Sequence, residues 1–293
     1  MKSIALLTRL PECYATARLA AAAQQQDVAL ALVDPHEYGL RLLAGHVAVV
    51  RGLHGAVVPT AELAVIPRLG SLATEYALAA LAMLERAGAK SLNGYGPLLR
   101  LRHKFLALAE LAGAGLPVPD SLMLRAPGDL SGAVAQLGGY PVVLKFIRGS
   151  QGVGVVLAPN ESTAASVLEA LNLVQYDVLL QRYYETAAQS DIRVLVLGGE
   201  PRWAVRRRSQ NGAFRSNFHR GGSAEPLALE PPLAALAARA AKLFDLGLAG
   251  VDVVETPDGP LVLEVNGSPG FETIEQAHGA DVAGEIVSYA AGL

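Results

Sequence analysis

The run LVLEVNGSPGFETIEQ, residues 261–276, ends a strand on a carboxylate and an amide directly before Gly-Ser-Pro-Gly. Strict alternation places Leu261, Leu263 and Val265 on one face and Val262, Glu264 and Asn266 on the other. Just upstream, GVDVVE (250–255) has its own strand pattern, and TPDG (256–259) supplies the turn between them. Folding one run back on the other brings Asp252 within about one residue of register with Glu264, so Asp252, Glu264 and Asn266 can share a face. Two carboxylates and an amide oxygen, with no histidine or thiolate, suit a hard cation such as Mg²⁺. An exposed polar sheet face would show the same pattern, and spacing alone leaves both readings open.

Outward from this hairpin, DIRVLVL (191–197) and RWAVRRR (202–208) are two strands across a Gly-Gly-containing turn. A Gly/Ser/Asn-rich loop follows from Ser209 to Gly222, then a helix from Pro232 to about Leu246, and the chain ends in the helix ADVAGEIVSYAAG (280–292). Before it lies an α+β unit: the strands YPVVLKFI and VGVVLA around a glycine loop, the helix STAASVLEALN, and the strand DVLLQRYY. The first third alternates strand and helix: SIALLT, an Ala-rich helix, DVALALVD, LAVIPRLG, and a helix through LATEYALAALAMLERAG ending at Gly88. That pattern predicts a small, mostly parallel α/β layer. One helix through NGYGPLLRLRHKFLALAELAGAG carries Lys104, and LPVPD breaks it, so a domain border falls within residues 95–120.

Composition excludes several classes. Of 293 residues, 52% are hydrophobic, which is a folded chain, and no apolar run approaches the roughly 18 residues of a membrane span. The N-terminal run is broken early by Arg9, Pro11 and Glu12 and reads as a strand, not a signal peptide. Cys13 is the only cysteine, which excludes an internal disulfide and a cysteine-cluster metal site and fits a cytoplasmic location. The net charge of −3 names no partner, but Arg206, Arg207, Arg208, Arg215 and Arg220 fall close together.

Two further groups carry chemistry. In KFIRGSQGVGV, Lys145 precedes Gly149, Gly152 and Gly154, and such a loop can close on phosphates through its N–H groups. A plain hairpin turn is the alternative, and the spacing fits neither a P-loop nor a dinucleotide-binding turn. In RRRSQNGAFRSNFHRGG, adjacent strand arginines face opposite ways, so at most two of Arg206–Arg208 enter one site. An anion site, a solvated basic edge and an RNA contact with Phe214 and Phe218 interleaved all remain open. His219 by itself indicates nothing.

Taken together, GSQGVGVVLA, SDIRVLVLG, FRSNFHRGGSA, LAGVDVVE, GPLVLEVNGSPGFETIE and GADVAGEI resemble the ATP-grasp superfamily, and within it the RimK-type α-L-glutamate ligases. The resemblance implies α/β and α+β architecture: an ATP-grasp fold behind an N-terminal Rossmann-like pre-ATP-grasp domain. Expected domains are 1–95, the pre-ATP-grasp domain; 96–183, a linker helix and central lid; and 184–293, the C-terminal ATP-grasp subdomain with the metal site. By position, Lys104 and Lys145 resemble phosphate ligands, with Ser150, Gln151 and Gly152 in the loop closing over them. Gln181, Arg182, Tyr183 and Tyr184 resemble the adenine hinge, Asp191 a nucleotide contact, and Arg215 a phosphate contact that, with Asn217 and Lys145, would be catalytic. Asp252, Glu264 and Asn266 match the metal ligands.

The implied cofactors are ATP and Mg²⁺, or Mn²⁺, and the implied reaction activates a carboxylate as an acyl phosphate before an amine attacks it. The implied partners are L-glutamate as the amino-acid donor and, as acceptor, a ribosomal protein C-terminus or a glutamyl peptide, with oligoglutamate as a product. No membrane is involved, and a homo-oligomer, dimer or tetramer, is expected. A LysX-like ligase acting on a carrier protein, a ligase joining glutamate to a coenzyme, and a non-catalytic nucleotide- or RNA-binding module are the rivals. Arg182 stands where these ligases usually carry Glu, and Arg148 where an acid is usual before the glycine loop, which puts adenine recognition by side chains in question.

Overall fold

Runs that are apolar on both faces need cover on both sides, which a parallel sheet flanked by helices provides. The computed structural model describes residues 3–52, 55–70, 73–124, 129–147, 154–174, 176–186, 190–208 and 223–293. Its first elements are β1 (Ser3–Leu7), α1 (Tyr14–Gln25), β2 (Leu30–Val33), β3 (Tyr38–Leu43), β4 (His46–Arg51), β5 (Leu63–Pro67), α2 (Glu75–Arg86) and β6 (Lys90–Ser91). The sheet runs β2-β1-β5-β6 with all pairings parallel, and Ala5 lies opposite both Ala31 and Val65. Thr74 caps α2, its Oγ1 accepting from Ala77 N–H at 3.1 Å.

The antiparallel hairpin of β3 and β4 departs from the alternating strand-helix pattern. Its turn, Ala44-Gly45, has φ of 48° and 79°. Two positive φ values make the turn that suits a hairpin, but Asn-Gly or Asp-Gly usually signals it, and alanine hides it.

The helix expected through Lys104 is two helices, α3 (Tyr95–Leu101) and α4 (Lys104–Gly113). The break has local causes. Arg102 is tied to Glu75 (2.6 Å) and to Ala73 O (2.9 Å), while His103 takes an extended backbone and its Nδ1 accepts from Leu106 N–H at 3.3 Å. Lys104 thereby becomes the first residue of a helix whose Ala107, Leu108 and Leu111 lie in the core of the C-terminal sheet.

The middle unit comprises β7 (Ser121–Leu124), α5 (Leu130–Gln136), β8 (Val142–Phe146), β9 (Val155–Ala158), α6 (Glu161–Leu173) and β10 (Val178–Arg182). Its antiparallel sheet, β7-β10-β8-β9, packs Val142, Leu144, Val178 and Leu180 against Leu130, Val134, Ala164 and Leu168 of the helices. β7 and α5 had no counterpart in the sequence reading.

The last unit holds β11 (Ser190–Leu197), β12 (Glu200–Arg208), β13 (Ser223–Leu227), α7 (Pro231–Leu243), β14 (Leu248–Thr256), β15 (Gly259–Asn266), α8 (Glu272–His278) and α9 (Val282–Ala291). Its antiparallel order is β13-β12-β11-β14-β15. Period-two alternation splits the sheet between two cores: Ile192, Val194 and Val196 face α4 and α7, while Leu195, Leu197 and Leu248 face α8, α9 and the N-terminal sheet.

The hairpin of β14 and β15 forms with Asp252 directly opposite Glu264. Strict alternation along 261–266 does not hold. The pairing slips after Asp252, Val253 lies opposite Val262, and Leu263 is the extra residue of a β-bulge. Val262 therefore joins Val265 in the α4/α7 core instead of sharing a face with Glu264 and Asn266.

Candidate functional site

Lys104, Lys145, Leu263, Glu264 and Asn266 line one cavity whose apolar wall includes Leu101, Leu108 and Leu179. Three elements deliver the polar groups: the start of α4, the end of β8 and the end of β15. Lys104 Nζ donates to Glu264 Oε2 at 2.7 Å, and Lys104 N–H donates to Ile147 O at 3.3 Å, which ties α4 to the chain leaving β8. Asn266 Nδ2 donates to Glu264 Oε1 at 3.1 Å and reaches Asp252 Oδ2 at 3.5 Å.

Behind this pair lies a second layer of charge. Arg193, in register with Asp252 across β11 and β14, grips it with two bonds of 2.7 and 2.6 Å. Arg207, in register with Asp191 across β11 and β12, does the same at 2.7 and 2.5 Å, and its Nη2 also lies 3.1 Å from Asp252. Such bidentate pairs fix carboxylate orientation as well as charge. Asp191 was expected from the resemblance alone, and Arg193 was missed, although a spacing of two along one strand is the signal that puts both on one face. Their partners became visible only with the register.

These contacts set the ionisation of the site. The Lys104 charge, opposed by burial, holds the Glu264 carboxyl well below the usual carboxylate range. Burial pulls Lys104 down, but Glu264 outweighs it and leaves the ammonium above its ordinary value. Among the described residues Lys145 makes no such bond, and burial lowers it to about 8, with Glu264 opposing and Lys104 adding repulsion. Burial also raises Asp191 against the pull of Arg207. Four cations, Lys104, Lys145, Arg193 and Arg207, thus meet three carboxylates, Asp191, Asp252 and Glu264. The surplus of positive charge suits a polyanion.

The donor set also fits a hard divalent cation. Among the described residues no group of three or more His, Cys, Asp or Glu side chains could hold a metal. Asp252, Glu264 and Asn266 instead offer two carboxylates and an amide, and a half-turn of the Asn266 amide turns its oxygen toward the space that the two carboxylates share.

Other expected residues divide. The Gln181 side chain is buried and donates to Ser121 Oγ at 2.9 Å, two residues along β10 from Leu179, which lines the cavity. Arg182 points outward, 3.4 Å from Asp120 and with its guanidinium 5.6 Å from the Tyr184 ring centroid. Tyr183 and Tyr184 follow it directly beyond β10. Arg206 pairs with Glu255 at 2.7 Å and Arg208 with Glu225 at 2.8 Å, so only Arg207 of the three turns into the carboxylate layer. Arg148, Ser150, Gln151, Gly152, Phe214, Arg215, Asn217, Phe218, His219 and Arg220 lie outside the described residues.

Comparison with known proteins identifies the family and the fold. The family described as RimK-like ATP-grasp domain matches residues 101–290, and the RimK PreATP-grasp domain matches residues 1–95. A Shewanella amazonensis protein named "Probable alpha-L-glutamate ligase 1" is 39% identical over 290 residues, 98% of this chain and 94% of that protein. The crystal structure of a RimK domain ATP-grasp protein from Sphaerobacter thermophilus is similar with a TM-score of 0.75 and 26% identity, over 98% of each chain. The ATP-grasp ligase PsnB, solved with a precursor variant, Mg and ADP, shares the fold with a TM-score of 0.75 at 20% identity, over 100% of this chain and 98% of its own.

Proposed function

The chain belongs to the RimK-like ATP-grasp family, and from that premise we propose that it joins the amino group of L-glutamate to a C-terminal carboxylate of a ribosomal protein or glutamyl peptide. An ATP-dependent ligase is what the family membership establishes. Glutamate as donor, this acceptor, oligoglutamate as a product, a dimeric or tetrameric assembly and a cytoplasmic location belong to the proposal. No helix among the described residues is long and apolar enough to cross a membrane.

The observation that carries the reading is the placement of Asp252 directly opposite Glu264, with Lys104 and Lys145 converging on the same cavity. In the first step an oxygen of the acceptor carboxylate attacks the γ-phosphorus of ATP. The bond from that phosphorus to the bridging oxygen breaks, leaving an acyl phosphate and ADP. In the second, the free amine of glutamate attacks the acyl carbon, the carbon–oxygen bond to phosphate breaks, and an amide, phosphate and one proton result.

Magnesium held by Asp252, Glu264 and Asn266 would offset phosphate charge, and manganese, with the same preference for oxygen ligands, is expected to substitute. Lys104 exchanges its bond to Glu264 for the nucleotide phosphates, and Lys145 adds a second cation from the facing sheet. Arg193 and Arg207 hold the Asp252 and Asp191 carboxylates in orientation. Gln181 spends its side chain on Ser121, which favours backbone contacts from residues 182–184 to adenine. Arg215 and Asn217 are assigned to phosphate and to the developing oxyanion, and Ser150, Gln151 and Gly152 to closure over the phosphates, which excludes water from the acyl phosphate.

The test is direct. Purified protein with ATP, Mg²⁺ and L-glutamate should release ADP and phosphate, and intact-mass spectrometry of a candidate acceptor should show added units of glutamate. Turnover with a different amino acid in a screen of all twenty would move the reading to another donor. Absence of turnover with any of them would overturn it.

A further inference from the structure

The segment that follows Asn266 is pinned residue by residue onto the N-terminal unit. Asn93 Nδ2 donates to Gly267 O at 2.6 Å, and Ser268 Oγ lies 3.1 Å from Pro67 O and 3.2 Å from Leu69 O. Arg68 Nη1 donates to Pro269 O at 2.9 Å. Arg68 stands just beyond the C-terminal end of β5, a central strand of the parallel sheet, and that edge is where open α/β sheets place their ligands.

Arg68 is a cation without an anion. Among the described residues no carboxylate pairs with it, and none of the undescribed residues is Asp or Glu. The nearby Glu275 is already held by Arg18 at 2.8 Å, Tyr14 Oη at 2.7 Å and Ala283 N–H at 3.0 Å. Burial lowers the Arg68 guanidinium to about 10, and no carboxylate among the described residues offsets that cost.

The two segments that Arg68 joins reach the surface, where Gly70 and Gly270 are exposed. Arg68 keeps part of its surface accessible, and its guanidinium carbon stands 5.9 Å from the Phe271 ring centroid. A Cβ added at Gly70 or at Gly270, one on each of the two segments that Arg68 joins, would meet nothing within 4 Å. The contact between Arg68 and Pro269 also lies close to the chemistry. Pro269 is three residues from Asn266, so the backbone that Arg68 grips is at most about 10 Å from that site residue.

We infer that Arg68 is the anchor for a substrate carboxylate that stays charged through the reaction, one carried by the incoming amino acid. This rests on the ligase reading above. The acceptor carboxylate loses its charge when it is phosphorylated, so an arginine set back from the cavity would hold it away from the phosphate. A dicarboxylic amino acid brings carboxylates that are never consumed. One of them, paired with Arg68 in the bidentate way a guanidinium favours, would point the amine back toward Asn266 and the acyl phosphate.

The test is calorimetric titration of L-glutamate into protein saturated with Mg²⁺ and a non-hydrolysable ATP analogue. In Arg68→Gln, glutamate affinity should fall about tenfold or more, while analogue affinity stays within about twofold of the wild type. Arg68→Lys, which keeps the charge and loses the planar fork, should fall between the two. Unchanged glutamate affinity in Arg68→Gln would overturn the inference. So would an equal loss of glutamate and analogue affinity together with a lowered melting temperature, since that is the behaviour of a strut. If the wild type ignores glutamate but binds another amino acid, the donor assignment fails, and the same comparison with that ligand decides Arg68 separately.

Discussion

Replacing Arg207 by methionine tests the buried charge layer behind the cavity. Arg207 and Asp191 side chains are each 11% exposed and Asp252 is 5% exposed, so solvent screens these pairs little. At an effective dielectric of about 20, charge centres roughly 4 Å apart attract by about 4 kcal/mol. Removing one partner of a buried pair typically costs about 3–5 kcal/mol. Asp252 retains Arg193, so the penalty falls on Asp191 and should be about 3–4 kcal/mol at pH 7, a large share of the stability of an ordinary domain. Urea unfolding should show a lowered midpoint with an unchanged slope.

The pH dependence has a definite sign. Asp191 already titrates above its ordinary value because of burial, and losing Arg207 raises it further. A group whose folded pKa exceeds its unfolded value contributes stability below the unfolded value and loses it as pH rises through the folded one. The deficit of Arg207→Met relative to the wild type should therefore be largest near neutrality and shrink on acidification toward the ordinary carboxylate range. Asp191→Asn in the same chain should restore at least about half of the loss, because a neutral pair no longer strands a charge. A deficit under about 1 kcal/mol at pH 7, or one that grows on acidification, would refute the argument.

Other perturbations probe separate parts of the molecule. Glu264→Ala should cut ADP formation by at least about 100-fold with the far-UV spectrum unchanged, since it removes a cavity carboxylate and opens no core; normal turnover would sink the metal assignment. Lys145 titrates near 8, so ADP affinity should decline as pH rises through that value, and Lys145→Arg should flatten the profile measured by calorimetry. Lys145→Ala should weaken ADP about tenfold or more at pH 7. Ala44→Gly should raise stability by about 1 kcal/mol in urea unfolding, because φ of 48° strains an alanine and suits a glycine.

How much was legible followed the range of each interaction. Asp252 and Glu264 could be paired because a short hairpin leaves few registers, and the alternation that put Glu264 and Asn266 together held below the bulge. The bulge itself has no single-residue signature, since Leu263 is as acceptable in a regular strand as in an irregular one. Arg193 was not singled out, and Arg207 only as one of three adjacent strand arginines, because the carboxylates they pair with lie on neighbouring strands in register, which composition does not encode. The break before Lys104 was hidden by an apolar pattern that runs through both helices, and only the hydrogen bonds of Arg102 and His103 reveal it.

The extra residue at Leu263 gives β15 two independent phases. From Gly259 to Val262 the side chains are timed by the turn at Thr256–Gly259, whereas Glu264 to Asn266 are timed by the pairing of Asp252 with Glu264 and of Gly250 with Asn266. The bulge works as a slip joint between the two. Loss of one residue from the β15 arm can be absorbed there by restoring regular pairing, with Glu264 left where it is. The alignment of the two carboxylates is thereby set on the far side of the bulge from the tip.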